Sequence, residues 1–212
     1  MANTYTFITA DDHSVITKSI SFILKDLYSK STVLELNCIN DLIKTLYIQT
    51  VDLLLLDITF PDGNTLNIIP TIRKIQPNIK ILIFSGMEEN IYALRYINAG
   101  ANGYLSKLSS EEEIKEAIKE IMVSGKYLSE KIQDKITNNY IFKKVTNPLE
   151  ALSNRELEIT HLMIEGYGNT EICCVLDLQK STVSTYKTRI FEKLGVDNLS
   201  DLIQLFNLYK EV

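Results

Sequence analysis

The chain is 212 residues long and 45% hydrophobic, with 22 basic against 27 acidic side chains and a formal net charge of −5. That apolar share is enough for one or two real cores. No run of about eighteen uncharged apolar residues is present, and no basic stretch leads into an apolar one at the N-terminus, so neither a membrane span nor a secretion signal is expected and the reading is a cytoplasmic protein.

Four apolar runs in the first half read as strands, and each ends on a polar residue. Tyr5 to Ala10 leads into Asp11 and Asp12, Val51 to Leu56 into Asp57, Lys80 to Phe84 into Ser85, and Gly103 to Ser106 into Lys107. A fifth strand-like stretch covers Thr32 to Asn37. Between them lie segments of helical period at Ser14 to Leu27, Asn40 to Gln49, Asn64 to Ile75, Glu89 to Ala99 and Ser110 to Ser124, the last opened by a Ser110/Glu113 capping box. Five βα repeats predict a doubly wound α/β fold with a parallel sheet and helices on both faces. Residues 126–148 differ in kind, with Lys131, Lys135, Lys143, Lys144 and a closing Pro148, and read as a linker holding one short helix near Glu130 to Phe142.

Beyond the linker the strand signal disappears. Ser153 and Glu156 form a capping box for a helix to about Glu165, Gly166 and Gly168 flank a turn into Asn169 to Leu176, Ser181 is expected to cap a third helix ending at Gly195, and a fourth runs from about Leu199 to Tyr209. In the third helix Val183, Tyr186, Ile190 and Leu194 recur at spacings of three and four and define a buried face. Ser184, Thr185 and Thr188 lie opposite, ringed by Lys180, Lys187, Arg189 and Lys193. This predicts an all-α four-helix unit containing a helix-turn-helix.

The crevice of an open parallel sheet lies outside the carboxyl ends of its strands, so three carboxylates, a hydroxyl and an ammonium are expected to meet there. Such carboxylates repel one another unless a hard cation sits among them, and Mg²⁺, which takes oxygen ligands, suits Asp11, Asp12 and Asp57. Asp57 then reads as a nucleophile toward a phosphoryl donor, with Lys107 and Ser85 neutralising the phosphoryl oxygens. The three cysteines, Cys38, Cys173 and Cys174, are an odd count without zinc-ligand spacing and read as buried small apolar side chains. His13 and His161 show no metal-ligand pattern, and His161 reads as a packing residue.

On these residues the chain resembles the receiver domain of two-component response regulators over about residues 3 to 125. The resemblance implies Asp57 as phosphoacceptor, Asp11 and Asp12 as the acidic pair, the backbone carbonyl of Thr59 as a further metal contact, Ser85 and Lys107 as the signalling hydroxyl and lysine, and Tyr104 as the rotating aromatic. Leu108 replaces a frequent proline, and Met87 fills a position that tunes dephosphorylation. The segments Leu152 to Glu156, Asn169 to Ile172, Ser181 to Val183 and Lys193 to Val196 resemble the LuxR-type DNA-binding domain, which places the whole chain near the NarL-like class.

The expected organisation is a receiver domain at 1–125, a linker at 126–148 and a LuxR-type helix-turn-helix domain at 149–212. The implied function is a transcription factor phosphorylated by a sensor histidine kinase and dimerising on double-stranded DNA, with Lys180, Thr182, Ser184, Thr185, Lys187, Thr188 and Arg189 at the DNA and Leu202, Ile203 and Phe206 joining two subunits. From Ala151 onward there are six basic against nine acidic residues, but Leu178 to Leu194 carries four bases and one acid, so positive charge concentrates on the recognition helix. Three other readings are set against this one. An aspartyl-phosphate hydrolase of the haloacid-dehalogenase type needs a second acid where Thr59 stands, and a same-fold regulator acting without phosphate would not need a complete acidic pocket. A quorum-sensing regulator would require an enclosed N-terminal pocket.

Overall fold

Leu53–Leu56 is apolar on both faces and fully buried, as a central strand of a parallel sheet covered on both sides must be. In the computed structural model, which describes residues 4–61, 63–134 and 147–210, this strand (β3) lies at the middle of a five-stranded parallel sheet. The others are β1 (Thr6–Ala10), β2 (Thr32–Leu36), β4 (Lys80–Ser85) and β5 (Gly103–Ser106), in the order β2-β1-β3-β4-β5. The helices are α1 (Ser14–Leu27), α2 (Ile39–Ile48), α3 (Ile69–Ile75), α4 (Glu89–Ala99) and α5 (Glu111–Ser124). On one face Phe7, Leu53, Leu55, Leu82, Phe84 and Leu105 pack against Ile20 and Leu24 of α1 and Ile114, Ile118 and Ile121 of α5. Residues of opposite parity, Ile8, Leu54, Leu56, Ile81 and Ile83, are equally buried, so the doubly wound α/β reading holds.

One segment departs from the sequence reading. The helix expected from Asn64 is a 3-10 turn, Thr65–Ile68, followed by α3 from Ile69. Pro70 explains the break: it has no N–H to donate to the turn before it and is tolerated only in the first turn of an α-helix, where it sits. A two-residue antiparallel pairing of Thr59–Phe60 with Gly63–Asn64 precedes that turn and carries no sequence periodicity that would announce it.

The chain divides into two units, Met1–Ile136 and Thr137–Val212. The expected linker start at 126 comes too early for the first unit. Tyr127 pairs with Gly103 in a parallel bridge on the β5 edge, its N–H donates to the Asn102 carbonyl at 3.0 Å, and Ile132 is buried. Residues 130–134 are helical, and the rest of the helix expected to reach Phe142 lies outside the described residues.

The second unit holds α6 (Asn154–Ile164), α7 (Asn169–Leu176), α8 (Lys180–Leu194) and α9 (Leu199–Lys210), the four expected helices. The Ser153/Glu156 capping box is present. Ser181 is no cap, because α8 begins one residue earlier behind Gln179, whose side chain makes no capping bond. Val183, Ile190 and Leu194 are buried as expected, whereas Tyr186 is only half-buried. The cysteines are a further correction, Cys174 being exposed and Cys38 and Cys173 intermediate. His161 does pack, edge-on to Phe206 with ring centroids 5.1 Å apart.

Candidate functional site

Parallel register brings the strand-end residues together. Ala10 pairs with Leu56 and Leu56 with Ile83, while Ser85 pairs with Ser106, so Asp11, Asp57, Ser85 and Lys107 emerge side by side at one edge. Main-chain bonds extend the ladder to these residues: the Asp57 N–H donates to the Ala10 carbonyl at 3.0 Å and the Lys107 N–H to the Ser85 carbonyl at 2.8 Å. Asp11 (2% exposed), Asp57 (5%) and Ser85 (2%) are buried, whereas Asp12 and Thr59 are exposed at the rim.

The Lys107 ammonium lies 2.8 Å from Asp57 Oδ2 and 2.6 Å from Asp11 Oδ2. The ammonium thus bridges the two buried carboxylates. Burial pushes the Asp57 carboxyl above its ordinary value, more than the bonds from Lys107 and Ser85 lower it, and the Asp11 charge adds to the rise. Burial alone would depress Lys107, but Asp11 and Asp57 outweigh it and raise the ammonium above its usual range. One ammonium cannot balance three acids, and carboxylate oxygens from all three lie close enough together to fit a hard divalent cation.

Around this centre lie groups that the sequence did not single out. The Thr65 hydroxyl, fully buried, donates to the Asp57 carbonyl at 2.7 Å and reaches the Ile58 carbonyl at 3.1 Å. It also lies 3.3 Å from the Tyr96 hydroxyl of α4, which donates to Asn64 Oδ1 at 3.1 Å. The contact between the two hydroxyls thus sets the main chain of Asp57 beside α4. No spacing rule predicts it, since Asp57, Thr65 and Tyr96 belong to different elements. On the other side the Tyr104 ring is buried and its hydroxyl donates to the Met87 carbonyl at 2.8 Å, while the Met87 N–H approaches Ser85 Oγ at 3.4 Å. Ser85 and Tyr104 are therefore tied to the same loop residue.

In the second unit, α8 presents Lys180, Ser184, Thr185, Thr188 and Arg189 to solvent, with Thr182 and Lys187 half-buried. The Thr185 and Thr188 hydroxyls donate back to the carbonyls of Ser181 and Ser184 at 2.9 and 3.2 Å, and Lys187 Nζ sits 5.7 Å from the centre of the Phe191 ring. Glu156, buried at the start of α6, joins Lys193 Nζ at 2.6 Å and accepts from the Ser153 N–H at 2.6 Å. This ties the two helices together and removes Lys193 from the free positive charge of α8. The expected dimer contacts are corrected: Leu202 and Phe206 are 0% and 2% exposed within this unit and Phe206 packs on His161. They are core, which leaves only Ile203 partly open.

Residues 7–119 match the family described as response regulator receiver domain, and residues 150–206 match the bacterial regulatory proteins of the luxR family. The chain belongs to the response regulators. This response regulator is 33% identical to the Fimbriae Z protein of Escherichia coli strain K12 over 205 residues, 96% of each chain. It is 30% identical to Response regulator UvrY of the same organism, covering 93% of this chain and 91% of that one. Among solved structures, RcsB from Salmonella enterica serovar Typhimurium, bound to promoter P1flhDC in the presence of phosphomimetic BeF3-, superposes with a TM-score of 0.69 at 23% identity, covering 99% of this chain and all of that one. Among the described residues no helix is long and apolar enough to cross a membrane.

Proposed function

We propose that this response regulator is a transcription factor switched by phosphorylation of Asp57. The observation that carries the reading is the position of Asp57, buried at the centre of the crevice with the Lys107 ammonium 2.8 Å from its Oδ2 and Asp11 on the other side of that ammonium. A carboxylate oxygen of Asp57 attacks the phosphorus of a phosphohistidine on a sensor histidine kinase. A P–O bond forms, the P–N bond breaks, and the imidazole leaves with a proton from solvent. Lys107 neutralises a phosphoryl oxygen and the Ser85 hydroxyl donates to another. Asp11, Asp12, Asp57 and the Thr59 carbonyl would hold Mg²⁺, which supplies positive charge to the transferred group. The raised Asp57 carboxyl supports the same reading, since the cation offsets what burial costs this anion.

We assign the receiver to the first unit, with Tyr127 bridged to its edge strand, and the LuxR-type domain to residues 149–212 of the second. Phosphorylation draws Ser85 toward the phosphoryl group and frees space for Tyr104, biasing two arrangements of α4 and β5 and promoting a homodimer on double-stranded DNA. Lys180, Lys187 and Arg189 contact phosphates, while Thr182, Ser184, Thr185 and Thr188 face the bases. With their hydrogens held by α8, Thr185 and Thr188 meet base edges as acceptors. Labelling with phosphoramidate tests the assignment: wild type takes up a base-labile label and Asp57→Ala takes up none. Equal labelling of the two rejects Asp57, and absence of labelling together with unchanged promoter binding favours the same-fold regulator that works without phosphate.

A further inference from the structure

The peptide between Asp57 and Ile58 is gripped at both ends. Its N–H turns back to Asp57 Oδ1 at 2.7 Å, and its carbonyl accepts from the buried Thr65 hydroxyl at 2.7 Å, which also reaches the Ile58 carbonyl at 3.1 Å. The Thr65 N–H closes the same loop on the Ile58 carbonyl at 3.0 Å. Rotating this peptide plane would swing the N–H off Oδ1 while Oδ2 stays on Lys107, so the orientation of the Asp57 carboxylate follows from what holds the carbonyl. Thr65 is held in turn. It opens the 3-10 turn capped by Asn64, whose Oδ1 accepts from the Leu66 N–H at 2.8 Å and from the Tyr96 hydroxyl of α4 at 3.1 Å. The same Tyr96 oxygen touches Thr65 Oγ1 at 3.3 Å, and both residues are 0% exposed.

We propose that Thr65 and Tyr96 are positioning residues for phosphoryl transfer, the capped turn and α4 together aiming the Asp57 carboxylate. The proposal rests on the reading of Asp57 as phosphoacceptor. Both residues act through the Asp57–Ile58 peptide rather than on the phosphoryl group. Attack on phosphorus tolerates little error in the position of the nucleophilic oxygen, a displacement of about 1 Å costing about a hundredfold in rate. Releasing the carbonyl that fixes the carboxylate, by a fraction of that distance, is worth roughly tenfold. Tyr96 puts this aim under the control of α4, because a shift of that helix moves the oxygen that braces Asn64 and Thr65. The route runs through the turn after β3 and is separate from the one through Ser85, Met87 and Tyr104.

The test measures initial rates of base-labile labelling of the full chain over a range of phosphoramidate concentrations, in wild type, Thr65→Val, Thr65→Ser, Tyr96→Phe and Asp57→Ala, and records the Ile58 amide proton by NMR. Valine keeps the branched shape of threonine without the hydroxyl. Thr65→Val is therefore expected to lower the maximal rate about tenfold at an unchanged half-saturating concentration, and to move the Ile58 proton upfield as its bond to the carboxylate loosens. Thr65→Ser restores rate and shift, and Tyr96→Phe loses about threefold with a smaller upfield move. Should Thr65→Val fail to fold, Tyr96→Phe, which keeps the ring in place, carries the test by the same two readouts. Wild-type rate and amide shift in Thr65→Val or in Tyr96→Phe, with Asp57→Ala unlabelled, overturn the proposal and leave the phosphoacceptor standing. Thr65→Ser as slow as Thr65→Val also overturns it, since the hydroxyl is then not what acts. Wild-type labelling of Asp57→Ala overturns instead the reading beneath it.

Discussion

Gly103→Ala tests how the edge of the sheet is closed. An added Cβ would lie 2.5 Å from the Tyr127 carbonyl oxygen, 3.1 Å from Tyr127 Cβ and 3.1 Å from Leu82 Cδ1. Carbon–oxygen contacts in proteins begin near about 3.3 Å, so main chain must move by something on the order of 1 Å. If the bridge between Gly103 and Tyr127 is kept, the strain costs about 1–3 kcal/mol. If Tyr127 peels away, the bond from its N–H to Asn102 and that from Asn102 Nδ2 to the Gly125 carbonyl are lost, at about 0.5–1.5 kcal/mol each. Both routes converge on roughly 2 kcal/mol, which for a unit of this size lowers the melting temperature by about 5–10 °C. Calorimetry on the full chain reads the shift, and hydrogen exchange at the Tyr127 amide separates strain from peeling. Gly86→Ala is the control, since a Cβ there meets nothing within 4 Å. A Gly103→Ala protein that melts with wild type and keeps Tyr127 protected would refute the reasoning.

Four further outcomes are expected. Lys107→Ala accepts some label on Asp57 but gains no promoter affinity from it, as gel-shift titration of labelled protein will show; a normal gain removes Lys107 from signal reading. Sedimentation with beryllofluoride shifts wild type toward dimer and leaves Asp57→Asn monomeric, and identical distributions in the two would count against receiver-driven pairing. Burial alone would raise the Glu156 carboxyl, but Lys193 and Ser153 outweigh it and hold it below its ordinary value. Its contribution to stability is therefore present above the unfolded carboxyl pKa and lost as the pH falls through the depressed folded one, and Glu156→Gln flattens this acid limb in melts of the helix-turn-helix unit; an unchanged limb contradicts the pairing. Lys187→Ala weakens binding to all sequences alike and reduces the salt slope by about one counterion, whereas Thr188→Ala changes which sites are preferred in a binding selection. The reverse pattern means that α8 is rotated from the orientation given.

What the sequence determined by itself is what depends on neighbours in the chain. The Ser110/Glu113 and Ser153/Glu156 capping boxes join residues three apart, and the apolar runs that end on Asp11, Asp57, Ser85 and Lys107 imply their convergence once the sheet is taken as parallel. Pro70, in the first turn of α3, divides a segment whose period alone predicts one helix. Tertiary structure decided the rest. Which side of α9 faces inward depends on α6 supplying His161 opposite Phe206, so a helix that looks half apolar in sequence gave Leu202 and Phe206 to the core rather than to a partner. The Thr65–Tyr96 contact and the Gly103–Tyr127 bridge join residues 31 and 24 positions apart, and the fit of two surfaces brought together by a sheet leaves no periodicity in either segment. Local hydrogen bonding and hydrophobic period are written along the chain, whereas side-chain contacts across elements exist only after burial has chosen a register and a face.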